Sequence, residues 1–183
     1  MREVTGLIVL LLALTTVTAG EIENAEVVHH EGVYTLDLSV VLSSDFEPVY
    51  DILTDHEQLH RISEVLVDTR LITEPGSPSK RRRLVTETCI LFFCFAAVMV
   101  EDVRITEDRI ATRIIPLLSD YRSGQTIWQV APSGPNHSRI KLHVELEPAF
   151  WIPPLIGPYV MKKKMESEAR KTIHNIEVLA NNG

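Results

Sequence analysis

Cysteine is scarce in this sequence, which has two, Cys89 and Cys94. Two are too few for a disulfide-stapled mini-domain or a structural zinc site. Positive charge is short as well: 18 Lys and Arg stand against 25 Asp and Glu, a formal charge of −7. No broad basic face can therefore be offered to phosphates, which argues against a nucleic-acid partner. The sequence has no nucleophile-elbow glycine pattern, phosphate loop or dinucleotide fingerprint. Its acidic residues are scattered, with no pair at a telling spacing, and neither repeats nor low-complexity stretches occur. No catalytic residue, metal ligand or cofactor is implied. What remains is ordinary for a globular protein, 45% hydrophobic and 23% charged over 183 residues, enough chain for one domain with a real core.

Residues 1–19 read as an export signal. Met1-Arg2-Glu3 is a short, weakly basic start, and residues 6–17 are uncharged, mostly apolar and too short for a comfortable membrane span. Val17 and Ala19 then place modest side chains at −3 and −1 of a cleavage site after Ala19. The alternatives are an uncleaved anchor or a buried N-terminal helix. No Cys follows the apolar run, which argues against a lipoprotein. The expected organisation is a signal peptide (1–19), a lead-in segment (20–32) that includes His29 and His30, and one domain (33–183) in an extracytoplasmic, periplasmic or secreted location.

Tyr34, Leu36, Leu38, Val40 and Leu42 alternate with polar or smaller residues, the period of a half-buried strand. Ser44-Asp45-Phe46-Glu47 and Thr54-Asp55-His56-Glu57 fit capping boxes, which predict short helices over 46–53 and 55–62. Strand-like runs follow at 65–73, 81–89, 94–105, 109–115, 121–131 and 138–146. In the last run Ile140, Leu142, Val144 and Leu146 share one face. After a Pro-rich segment, Met161, Met165, Ala169, Thr172, Ile173, Ile176 and Leu179 form the apolar stripe of a helix over about 159–180. The expected fold is α+β: a curved seven-stranded antiparallel sheet around a long C-terminal helix, in the order β-α-α-β-β-β-β-β-β-α.

The turns between these strands alternate in character. Residues 74–80 (EPGSPSK), 106–108 (TED) and 132–137 (PSGPNH) are polar, whereas 90–93 (ILFF), 115–118 (IPLL) and 150–156 (FWIPPLI) are apolar. In a meander, successive turns lie at opposite ends of the sheet, so the apolar turns share one end. Their side chains, Leu91, Phe92, Phe93, Leu117, Leu118, Phe150, Trp151, Ile152, Leu155 and Ile156, either ring a cavity mouth that touches a bilayer or oily ligand, or fold inward as a cap. Cys89 and Cys94 flank the ILFF turn. They lie opposite each other across a four-residue hairpin loop, either as a disulfide or as two reduced, packed thiols.

Residues 46–72 (FEPVYDILTDHEQLHRISEVLVDTRLI) and the ending from Pro153 (PPLIGPYVMKKKMESEARKTIHNIEVLA) resemble the START and polyketide-cyclase-like helix-grip (SRPBCC) superfamily. The coenzyme-Q-binding START-like proteins are similar in pattern too. That resemblance covers about 33–180 and implies a cavity between sheet and terminal helix that takes a hydrophobic small molecule, a lipid or isoprenoid quinone. Leu38, Val40, Trp128, Leu142, Val144, Met161, Met165 and Ile173 are the expected lining. Phe92, Phe93, Leu117, Leu118, Phe150, Trp151, Ile152 and Leu155 would mark the mouth and a transient membrane contact. Lys162, Lys163 and Lys164 either attract anionic headgroups or simply form a solvated helix face. Residues 80–83 (KRRR) read as a solvated strand start, and His56 and His60 as surface histidines with no third metal ligand in sequence. A cyclase- or dehydrase-like enzyme is the alternative, and would bring at least two ionisable groups together inside. Glu87, Glu101, Arg113, Tyr121 and Gln125 are the strand residues that could point inward. An interaction module using the apolar end would instead have a small or filled cavity. The oligomeric state is not specified by the sequence.

Overall fold

The structure is a computed structural model that describes residues 20–72, 80–90 and 93–183, without the side chains of Ile90 and Phe93. Eight strands form: β1 (Glu21–His30), β2 (Val33–Leu42), β3 (Leu66–Leu71), β4 (Lys80–Ile90), β5 (Phe93–Ile105), β6 (Arg109–Ile114), β7 (Tyr121–Pro132) and β8 (Ser138–Pro148). Helix α1 (Phe46–Thr54) separates β2 from β3, and α2 (Gly157–Asn182) follows β8. All strands join one antiparallel sheet in the order β1-β2-β8-β7-β6-β5-β4-β3. Helix α2 packs on β1 and β2 but also on β4, near the other edge of that order, so the sheet must curl around it. Helix α1 packs against α2 and β7.

The seven-stranded expectation is corrected to eight because the segment read as a lead-in is β1. Glu31 and Gly32 both adopt positive φ, 50° and 87°, the backbone of a tight two-residue hairpin. The pairing of β1 with β2 runs from Glu21 opposite Val41 to His30 opposite Val33, with a register shift between Ile22 and Asn24. That shift breaks the alternation of Ile22, Ala25 and Val27 in the sequence. Three glutamates (21, 23 and 26) further disguise the segment, although charges are what an edge strand carries against unwanted pairing. His29 is part of this hairpin and stacks on Tyr34 with ring centroids 4.4 Å apart.

The second short helix is also corrected, since only a 3₁₀ turn at Leu59–Arg61 forms there. Thr54 does not cap a new helix: its hydroxyl donates back to the Tyr50 carbonyl at 2.9 Å. The first box fails too, with Asp45 at the N-cap of α1 making no side-chain capping bond.

The core lies between the concave face and the helices. Leu36, Leu38, Val40 and Leu42 of β2, Leu84, Val103, Ile110 and Val130, and Ile140 and Leu142 of β8 are buried there. They meet Val49 and Leu53 of α1 and Ala169, Ile173 and Ile176 of α2. The topology sets the β5–β6 and β7–β8 turns at one end. The β4–β5 hairpin, residues 115–120 and residues 149–156 lie at the other. The alternation therefore holds for the described turns, except that the Glu31–Gly32 turn adds a polar hairpin to the apolar end.

Candidate functional site

Helix α2 is the floor of the site, and its two halves differ. From Ala169 onward it buries Ala169, Ile173, Ile176 and Glu177. Between Met161 and Glu168 no side chain is fully buried. The stripe is continuous in sequence, yet only its second half is fully buried in places, and its first half is no more than partly covered. The apolar-end half of the sheet facing the first half is likewise half-buried at Phe95, Met99, Val144 and Leu146. A smaller cluster closes part of that end, where Phe150 packs on Phe95 at 4.6 Å and on Tyr121 at 5.7 Å, beside Ala97 and Ile114.

Between this half of α2 and the β3-β4-β5 edge lies an open cleft of about 590 Å³, lined by Glu64, Val67, Glu87, Thr88, Cys89, Cys94, Phe95, Ala96 and Lys164. Its volume suits a small-molecule ligand. Thr88 carries a buried hydroxyl without a partner among the described residues, and Glu64, Glu87 and Lys164 add charged groups to the wall. At the rim Cys89 and Cys94 pair across β4 and β5 and form a disulfide with an S–S distance of 1.98 Å, as the hairpin spacing allowed. The β4–β5 hairpin is thereby clamped at the cleft.

The expected lining residues are divided by this geometry. Leu38, Val40, Leu142 and Ile173 sit in the packed core, while Trp128, Val144 and Met165 pack against it from half-buried positions. Met161 is half-buried on the open half of α2. Of the expected mouth, Phe92 and the side chain of Phe93 lie outside the described residues. Leu117 (95% exposed), Leu118, Trp151 (73%) and Leu155 (94%) stand in solvent with Ile156 and Tyr159. Phe150 and Ile152 are half-buried, so these two turn inward. Lys163 and Lys164 face Glu166 and Glu168 at 3.5 and 3.3 Å, which offsets part of their charge.

Two surface assignments are corrected. His56 is buried at 3% exposure, and so is Arg82 of the KRRR run at 6%. Arg82 shares the concave face with Leu84 and donates Nε–H to the Glu101 carboxylate at 2.6 Å, both side chains being almost fully buried. Its other arm lies 3.2 Å from His56 Nδ1. A guanidinium can only donate, so Nδ1 accepts and the ring proton sits on Nε2, which has no partner among the described residues. Burial, and then the adjacent Arg82 charge, push the His56 pKa down to about 4, so the ring is neutral near pH 7. Sequence spacing could not foresee this chain of groups, since the turn after α1 and two strands bring it together. Of the other candidates, Tyr121 is buried inside, Glu87 borders the cleft, and Arg113 and Gln125 line a shallow groove on the convex face. Among the described residues no cluster of three or more His, Cys, Asp or Glu could hold a metal.

No protein-family model matches the sequence, and no curated protein matches it either. Solved structures do. A START superfamily protein from Mycobacterium smegmatis is similar with a TM-score of 0.62 and 16% identity, over 81% of this chain and 97% of that one. The fold is the START-type helix grip. Two further solved structures show how varied the START-fold proteins are. The Zhui aromatase/cyclase from Streptomyces sp. R1128 has a TM-score of 0.65 and 12% identity, over 82% of this chain and 94% of its own. The human StarD13 lipid transfer and protein localization domain has a TM-score of 0.58 and 10% identity, over 86% and 89%. At such identities the likeness is one of fold, and function must be argued from the site.

Proposed function

We propose that this protein binds a hydrophobic small molecule, of the lipid or isoprenoid-quinone class, in the cleft between the first half of α2 and the β3-β4-β5 edge. The single observation that carries this reading is the first half of α2, whose apolar stripe is only partly buried and which borders, through Lys164, an open cleft walled by Val67, Phe95 and Ala96 together with Glu64 and Glu87. Neighbours of the same fold include a lipid transfer domain and an aromatase/cyclase, which supports hydrophobic ligand binding in general. Leu117, Trp151, Leu155 and Ile156 then supply the contact with a membrane surface at the same end. Burying each such side chain contributes roughly 1.5–3 kcal/mol, so three or four suffice for transient docking. The location we propose is extracytoplasmic.

The deciding experiment is native mass spectrometry of protein recovered from an export compartment, followed by organic extraction and liposome uptake. A stoichiometric apolar molecule, lost in Thr88→Trp, is the expected result. An empty protein that takes nothing from liposomes would overturn the reading.

The enzyme reading has one observation in its favour, the convergence of His56, Arg82 and Glu101 on the concave face. None of the three lines the cleft, and Arg82 and Glu101 already satisfy each other. Conversion of a bound apolar substrate that is abolished by Glu101→Gln in folded protein would favour it.

A further inference from the structure

Glu177 is the most deeply buried carboxylate of α2, at 4% exposure. It lies against the start of β1 and the end of β2, where one oxygen accepts from the Ser43 N–H at 2.8 Å. The other accepts from the nitrogen of Gly20 at 2.6 Å. Among the described residues no Lys, Arg or His side chain pairs with it. A buried carboxylate held only by neutral amides is costly, because its full charge has left water without a counter-charge. The position of Gly20 resolves this difficulty. It directly follows Ala19, after which the sequence places the export cleavage.

We propose that the chain is cut between Ala19 and Gly20, and that buried Glu177 then holds the new α-ammonium of Gly20 in an ion pair. Hydrolysis adds one water across the amide: Ala19 leaves as a carboxylate, and the Gly20 nitrogen becomes an amine that is protonated near neutral pH. A distance of 2.6 Å already suits a charge-assisted bond. Glycine is the residue that fits. A Cβ at this position would stand 2.7 Å from Cδ2 of the fully buried Leu42 and 3.1 Å from the Val41 carbonyl oxygen. Close by, the Ser44 hydroxyl donates to Asn181 Oδ1 at 2.9 Å, pinning the end of α2 to the same corner. Processing would thus complete the fold by supplying the one cation this corner lacks. The inference is independent of what the cleft binds.

Two measurements test it. Intact-mass analysis of the full chain, expressed with its leader in an exporting cell, should give a product beginning at Gly20; retention of the leader or a cut elsewhere would overturn the proposal. The Gly20-start protein should then melt higher than a form beginning at Thr16 by about 4 °C, and Glu177→Gln should remove that difference. Equal melting of the two forms, or a difference that persists in the variant, would overturn the ion pair. Should Glu177→Gln not fold, acetylating the Gly20 α-amine decides instead: a loss of about 4 °C is expected, and no loss would sink the pair.

Discussion

The two halves of α2 face the same sheet with very different results. Ile173 and Ile176, in the half nearer α1, are fully buried where α2 packs on α1, β1 and β2. Met161 and Met165, in the half nearer the apolar end, carry the same stripe but are only partly buried. The closed half holds the molecule together. The open half leaves an apolar surface whose coverage is left to something else, and its methionines can adapt to varied shapes. One helix thus serves as a structural strut at one end and a ligand wall at the other.

The comparison can be broken most sharply in the closed half. Arg82→Ala strands the Glu101 carboxylate in the core, and a loss of about 3–5 kcal/mol is expected in denaturant unfolding. Ile176→Ala should cost about 2–5 kcal/mol, whereas Met161→Ala, in the open half, should cost less than about 1 kcal/mol while weakening ligand retention. Equal losses at the two positions would mean that the open half is packed in solution.

His56 adds a pH dependence to the closed half. Its folded pKa is depressed to about 4 from 6.5, so the unfolded chain binds the proton more readily between those values. Stability should be fully present above about pH 6.5 and fall by about 3 kcal/mol as pH drops to 4. His56→Gln should flatten that slope, which thermal melts across the window would show. The smallest effect on stability belongs to the exposed tip. Trp151→Asp with Leu155→Asp should change unfolding by no more than about 0.5 kcal/mol yet abolish co-sedimentation with liposomes. Undiminished liposome binding would remove the docking role.

Much of the fold, and one end of the site, is legible in the residues themselves. The strict alternation in β2 and β8 marks the inward residues, and β2 buries its whole set while β8 buries Ile140 and Leu142 and leaves Val144 and Leu146 half-buried. Turn chemistry at meander spacing sorts the apolar connections to one end, and the four residues between Cys89 and Cys94 set the two sulfurs opposite each other. Elsewhere the local pattern misleads. β1 hides behind its glutamates and its bulge, because an edge strand owes its place to β2 rather than to its own hydrophobicity. The capping-box spelling at Thr54 is overridden by a hydroxyl that finds a nearer carbonyl.

The strands from β2 onward, the inward faces of β2 and β8, the long amphipathic helix and the end at which the apolar turns gather all follow from sequence alone. These are local or periodic properties, written in neighbouring residues. Only the assembled fold settles which half of the α2 stripe is covered, that Phe150 turns inward while Trp151 does not, and that His56, Arg82 and Glu101 meet. It also sets Gly20 against Glu177, 157 residues away. Each of these depends on how far the sheet curls around the helix, a non-local balance of packing that no single segment specifies.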